Sequence, residues 1–335
     1  MTALLLAAAL LAPLPARAAS TDLTIPSDGG APVGVCDLGA TLDRPAHAKA
    51  IVVLVCGSGT HDRDETVGPV KPFRDLADAL AARGIATLRY DKRGFSPACR
   101  AAALSPDLTP DNFVADVVHV YRRAEAEGLP VFVLGHSEGV TYVDEAAARG
   151  EIKPRGLILL SGLGRYDLAQ TLLRQFDAAL KALDAALAGS ALTPARRAEL
   201  ERSKARTEAW RSGGRAYFRR LAAGKTGPGE RYLGAYARFW REIIAMTGRA
   251  AATAAQVPEP ALVLRGTADR NVTHADWQAL AGALKAPGSS AWEFPGLDHL
   301  YVAPGTATVA PEVPRLIADW IDARLASAPA AGRTP

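Results

Sequence analysis

The sequence predicts an α/β fold: a mostly parallel sheet with helices on both faces, interrupted by an inserted all-helical segment. Three observations predict it. Short, largely apolar runs alternate with stretches of helical apolar period. The runs lack polar–apolar alternation, as strands covered on both faces should. From Leu163 to about Ala255 strand-like runs stop, and only helical periodicity continues.

The chain opens with Met1 to Ala18, which reads as a signal peptide. Leu4 to Ala12 is an uninterrupted apolar run, Pro13 and Pro15 break it, and Ala16-Arg17-Ala18 is an A-x-A cleavage site. The run is too short to span a bilayer, and no cysteine directly follows the site. The expectation is an exported protein, periplasmic or secreted. Thr21 to about Lys49 reads as a hairpin or meander. Ile51 to Val55 is five apolar residues, four of them β-branched, and reads as a central strand. Lys71 to Arg83 places Phe73, Leu76, Ala77 and Leu80 on one helical face and stops at Gly84. Ile85 to Tyr90 is the next strand. Asp111 to Glu127 is a helix with Phe113, Val117, Val120, Tyr121 and Ala124 on one face. Val131 to Leu134 is a strand, Thr141 to Arg149 a helix, and Leu157 to Leu160 a strand.

Residues 19–162 thus form the first part of the core, and 163–256 the helical insert. Leu172, Leu173, Phe176, Leu180, Leu183 and Leu187 make a helical stripe in it. Thr193-Pro194 opens a further helix, and Ser212-Gly213-Gly214 and Gly224 to Gly229 are expected to break the segment. The core resumes over 257–326, with strands at Ala261–Leu264 and Ala291–Phe294 and helices at His274–Leu284 and Val313–Leu325. Residues 327–335 are expected to be a flexible tail.

Composition narrows the function. The 335 residues are 49% hydrophobic, enough for one large core with an inserted subdomain. A charged content of 22% excludes a disordered or membrane-embedded chain. The net charge of +4 is too small to imply a nucleic-acid partner, and no nucleic-acid recognition motif is present. The insert holds 17 Lys and Arg against 8 Asp and Glu. That excess reads first as a solvated helical surface and second as a field for anionic substrates. Of the cysteines, Cys36, Cys56 and Cys99, an oxidising compartment allows one bridge and one free thiol, and Cys56 ends a strand as a buried small hydrophobe.

The chemistry centres on Gly135-His136-Ser137-Glu138-Gly139, a G-x-S-x-G between strand and helix. That context makes it a nucleophile elbow. The serine sits at strained backbone angles, its glycine neighbours let strand and helix nearly touch, and its hydroxyl lies by a helix N-terminus that favours a developing anion. A serine hydroxyl needs a base, and the base needs an orienting group. Of six histidines, His299 alone follows the last strand by a short turn, Pro295-Gly296-Leu297-Asp298, where it can reach a serine at the C-terminal sheet edge. His136 lies inside the elbow, pointing away from the nucleophile. His47, His61, His119 and His274 show no partnering pattern. Asp269, just past the strand that begins at Ala261, is the orienting acid; Asp298 is too near the base in sequence to curl back to its ring. The oxyanion requires two backbone N–H donors. Glu138 supplies one, and the loop Cys56-Gly57-Ser58-Gly59-Thr60 the other. The amide of Ser58 is favoured, with that of Gly59 next, while Gly57 and Gly59 let that backbone approach substrate. His61-Asp62-Arg63-Asp64-Glu65 gathers possible metal ligands, but residues so close do not by themselves build a coordination sphere. Internal salt bridges around Arg63 are expected there instead.

With these residues in view, the chain resembles the α/β-hydrolase superfamily, and within it the bacterial esterase and serine-aminopeptidase-like branch. The carriers are Cys56-Gly57-Ser58-Gly59 with Asp62-Arg63-Asp64-Glu65, Pro72-Phe73 with Leu76, Leu88 to Gly94, Gly135 to Gly139, Asp269, and Asp298-His299. Ser96 and Val140 stand where related sequences often have glycine. The resemblance implies an α/β-hydrolase fold and makes the insert a helical cap. The resulting expectation is an exported serine hydrolase, a carboxylesterase using Ser137, His299 and Asp269 through an acyl-enzyme. Its partner is a small-molecule acyl ester, and no metal or organic cofactor is called for. The same three residues would serve a serine aminopeptidase or a thioesterase, and a non-catalytic binding protein is the rival from another class.

Overall fold

The computed structural model describes residues 19–29, 33–95, 99–189 and 191–327. The expected signal segment and nearly all of the expected tail lie outside these residues, as does Ser96. An antiparallel hairpin, β1 (Ala19–Ser27) and β2 (Cys36–Arg44), leads in. The core then runs β3 (Ala50–Val55), α1 (Pro72–Ala81), β4 (Ile85–Tyr90), α2 (Arg100–Ala103), α3 (Pro110–Glu125), β5 (Val131–His136), α4 (Glu138–Ala148) and β6 (Gly156–Leu160). Next come α5 (Leu168–Leu187), α6 (Pro194–Ala222), β7 (Arg231–Tyr232), β8 (Ala235–Tyr236), α7 (Ala237–Gly248) and α8 (Ala250–Ala254). The core closes with β9 (Ala261–Gly266), α9 (His274–Ala283), β10 (Ser290–Phe294) and α10 (Glu312–Ala326).

The eight core strands form one sheet in the order β1-β2-β4-β3-β5-β6-β9-β10. From β4 to β10 all neighbours are parallel; β2 joins β4 antiparallel. The period of two explains the unbroken apolar runs, because both faces are covered. Val53, Val133, Leu159 and Val263 face one side, packing with Val117, Val143 and Leu280 of α3, α4 and α9. Leu54, Phe132, Ile158 and Leu264 face the other, against Phe73 and Leu76 of α1 and Ile317 and Ile321 of α10. This is the α/β-hydrolase arrangement. All six parallel strands point their C-terminal ends the same way, so the loops after β3, β5, β9 and β10 gather along one rim.

Two expectations for the insert need correction. It contains strand, since β7 and β8 pair as a two-residue ladder. Ser212-Gly213-Gly214 does not break the segment either: α6 runs through it without interruption. The glycine there answers to packing. A Cβ on Gly214 would lie 2.6 Å from the Tyr232 hydroxyl. Tyr232 in turn donates to the Trp210 carbonyl at 2.7 Å and its own carbonyl accepts from Trp240 Nε1 at 2.9 Å. Gly224 at φ +66° does end the helix as read. Cys36 and Cys99 form a disulfide that ties β2 to the start of α2, and Cys56 is free and buried. Among the described residues no helix is long and apolar enough to cross a membrane.

Candidate active site

Ser137 sits between β5 and α4 with φ +55° and ψ −121°, left-handed backbone that a non-glycine residue rarely adopts. The flanking glycines show what holds it there. A Cβ on Gly139 would come 2.4 Å from the Val55 carbonyl oxygen, and one on Gly135 would come 2.8 Å from the Val140 nitrogen. The Ser137 amide is spent on the Leu160 carbonyl at 2.8 Å. What remains is the hydroxyl, displayed at the N-terminus of α4.

The loops after β9 and β10 are laced together. Thr267 N donates to Phe294 O at 2.8 Å and Ala268 N to Leu297 O at 2.9 Å. Gly266 allows this approach, because a Cβ would meet the Leu297 oxygen at 2.2 Å. The lacing puts Asp269 Oδ2 2.9 Å from His299 Nδ1. Asp269 Oδ1 accepts the amides of Asn271 and Val272 at 2.8 and 2.9 Å. Burial raises the Asp269 pKa, but the charge and hydrogen bond of His299, with the Val272 amide, outweigh it and leave the carboxyl below its ordinary value. The group is therefore an acceptor, and His299 Nδ1 carries the proton. That leaves Nε2 as a base. Asp298 turns elsewhere, accepting the amides of Leu300 and Val302. The cap of α9 is Thr273 with Asp276, so Asp269 is not needed there.

Ser137 and His299 line one cavity of about 760 Å³, together with Gly57, Ser58, His61, Glu65 and Arg270. Ser137 makes no side-chain hydrogen bond among the described residues; such contacts often tighten only when substrate binds. The amides of Ser58 and Glu138 have no acceptor within the chain among the described residues, whereas Gly57 N donates to Glu65 Oε1 at 2.7 Å. Gly57 also passes close by Ser137, where a Cβ would lie 3.0 Å from Ser137 Cβ. Gly59, at φ +97°, lines a neighbouring chamber of about 640 Å³ under the insert. Its walls include Leu108, Phe113, Leu172, Phe239 and Trp240, and it shares Ser58 and Gln175 with the first cavity.

Sequence reasoning missed several side chains here. Lys92 is 5% exposed; it donates to Glu138 Oε1 at 3.0 Å and to the Gly57 carbonyl, and lies over the Phe113 and Tyr142 rings. Ser58 Oγ donates to Glu138 Oε2 at 2.9 Å. The two loops expected to hold an oxyanion are thereby tied to each other. Burial raises the Glu138 pKa, but Lys92, Tyr142 and Ser58 together bring it below the ordinary value. Glu65 bonds His136, and Tyr301 donates to the Leu264 carbonyl at 2.8 Å. Arg63 forms ion pairs, but with partners outside the His61–Glu65 run, Asp91 at 2.9 Å and Asp22 at 3.0 Å. Three histidines read as lacking partners have them: His61 bonds the Ser58 carbonyl, His119 pairs with Asp28, and His274 with Glu293.

Compared with known proteins, residues 46–303 match the family described as serine aminopeptidase, S33. The chain belongs to that family. Esterase EstD of Thermotoga maritima is 34% identical over 121 residues, 36% of this chain and 29% of that protein. The chain thus matches under a third of that esterase's length. Among solved structures, a thermostable carboxyl esterase from Bacillus coagulans superposes with a TM-score of 0.59 at 18% identity, covering 92% of this S33 chain and 99% of that one. Proline iminopeptidase of Mycobacterium smegmatis gives 0.54 at 19% identity, covering 92% and 100%. At those identities the likeness is one of fold.

Proposed function

We propose that the protein is an exported serine hydrolase, a carboxylesterase with Ser137 as nucleophile, His299 as base and Asp269 as the group that orients it. The observation that carries the proposal is the 2.9 Å Asp269–His299 pair beside an elbow serine in one cavity. Ser137 Oγ attacks the ester carbonyl carbon while its proton passes to His299 Nε2. The carbonyl electrons move to oxygen, and the amides of Glu138 and Ser58 stabilise that oxyanion. Collapse breaks the bond to the alcohol oxygen, which takes the proton back from Nε2. Water repeats the sequence on the acyl-enzyme and frees the acid. Asp269 stays anionic throughout and offsets the charge of the imidazolium.

The chamber walled by Leu108, Phe113, Leu172, Phe239 and Trp240 favours an ester with one apolar half. Export is supported by the leader-like residues 1–18 and by the Cys36–Cys99 bridge, which an oxidising compartment preserves. The test is a turnover screen across p-nitrophenyl esters, aminoacyl anilides and acyl-CoA thioesters. Esters should dominate, and Ser137→Ala should lower kcat by ~10⁴-fold or more. Aminoacyl anilides turning over faster than esters would make the protein an aminopeptidase. Full ester turnover by Ser137→Ala would overturn the mechanism.

A further inference from the structure

A buried charge pair lies beneath the His299 loop and takes no part in the steps above. His136 is 4% exposed and Glu65 2%. Glu65 Oε1 stands 2.9 Å from His136 Nδ1 and also accepts the Gly57 amide at 2.7 Å. On the far side of the ring, His136 Nε2 stands 3.0 Å from the backbone carbonyl oxygen of His299. A carbonyl oxygen only accepts, and so does a carboxylate. A neutral imidazole has one N–H, so donating from both nitrogens requires the imidazolium. The alternative places the proton on Glu65 and leaves the pair neutral. The Gly57 amide opposes that, since a donor aimed at Oε1 favours the anion.

The surroundings agree. From the β3–α1 loop His136 meets Glu65; from the segment after β10 it meets His299, with ring centroids 4.7 Å apart, and Tyr301 at 6.5 Å. From α1 it meets the Phe73 ring, at 6.5 Å, and Asp269 acts from the loop after β9. Both carboxylates favour a cation at His136. Burial alone would lower its pKa, yet the charge and hydrogen bond of Glu65 and the His299 carbonyl raise it above the ordinary 6.5.

We propose that His136 is a standing imidazolium and a positioning residue, gripping the His299 backbone while Glu65 grips the oxyanion loop at Gly57. The pair would then fix the distance between base and oxyanion donors. The positioning role rests on the assignment of His299 as base; the charge state does not. Long-range proton–nitrogen NMR on histidine-labelled protein from pH 5 to 9 tests the charge, with His136→Gln identifying the signals. Both His136 ring nitrogens should show imidazolium shifts at pH 8 in the wild type, and one should turn pyridine-like in Glu65→Gln. A neutral His136 ring in wild-type protein at pH 7 overturns the proposal, whatever the activity. Kinetics test the positioning. Glu65→Gln should lower ester kcat by about 10²-fold with KM little changed, the scale on which misplacement of a reacting group by about 1 Å acts. An unchanged kcat in folded Glu65→Gln overturns the positioning role. If Glu65→Gln does not fold, the wild-type titration still decides the charge. His136→Gln, whose amide cannot donate to one acceptor while holding the charge of the other, then carries the kinetic test with the same expected loss. If Ser137→Ala kept its activity, the base assignment would fall while the NMR result stood.

Discussion

Ser137, Glu138 and Lys92 show how single residues here combine strain with buried charge. The left-handed backbone of Ser137 and the buried Lys92–Glu138 pair are both costly in isolation, and each is held by its neighbours. Removing one member of the pair exposes that cost. Lys92→Met strands an anionic Glu138 in the core and should destabilise the protein by about 3–5 kcal/mol. Urea denaturation measures it, and adding Glu138→Gln should return part of the loss. The Glu65–His136 pair makes a pH-dependent contribution. The folded-state pKa of His136 is raised, so its stabilisation is full below the unfolded value and lost as pH rises through the folded one. That of Glu65 is lowered, net of burial, so its stabilisation is lost as pH falls through a value below the ordinary 4.5. The stability of wild type over Glu65→Gln should therefore shrink on raising pH from 6 to 9, read as a narrowing gap between urea midpoints. A constant gap would contradict the pairing.

At the scale of elements, the glycines of the elbow leave no room for a side chain. In Gly139→Ala the new methyl group meets the backbone oxygens of Val55 and Cys56, at the end of β3 and just past it, at 2.4 and 2.7 Å, and neither strand nor helix can yield without moving Ser137. We expect a loss of about 1–3 kcal/mol or more in stability and a larger proportional loss in kcat, by urea denaturation and ester turnover respectively. The disulfide closes a separation of 63 residues, for which chain entropy alone gives roughly 4 kcal/mol as an upper figure. Cys36→Ala with Cys99→Ala should therefore lower stability by about 2–4 kcal/mol without touching the site. The elements themselves were legible in the sequence because periodicity reports burial: β3, β5, β6 and β9 are buried at every position. The local geometry of Asp269 and His299 was legible too, since each follows a strand of the same sheet. What periodicity does not encode is a partner far along the chain. Lys92 reads as one charged residue in a loop until Glu138, 46 positions later, is folded onto it. Glu65 reads as part of an acidic run until His136 arrives from 71 positions away. Gly214 reads as a helix breaker until Tyr232 occupies the space its side chain would need.

Over the whole molecule, a parallel sheet presents its loops at one rim, and α5 to α8 form an insert between β6 and β9, part of which meets the core beside that rim. The apolar chamber exists only where insert and core meet: Leu108 and Phe113 come from the core, Leu172, Phe239 and Trp240 from the insert. Filling it should discriminate substrates by shape. Leu172→Trp is expected to raise KM for esters with long or aromatic apolar groups by about 10-fold or more while leaving acetate esters nearly unchanged, the range over which a few buried methylenes act. Equal effects on both substrates would place the apolar group elsewhere. The most direct test of Ser137 as nucleophile is peptide mapping by mass spectrometry after reaction with a fluorophosphonate. A single adduct on Ser137 is expected, abolished by Ser137→Ala and slowed in Asp269→Asn. An enzyme that hydrolyses esters yet carries its adduct on another residue, or none, would contradict it.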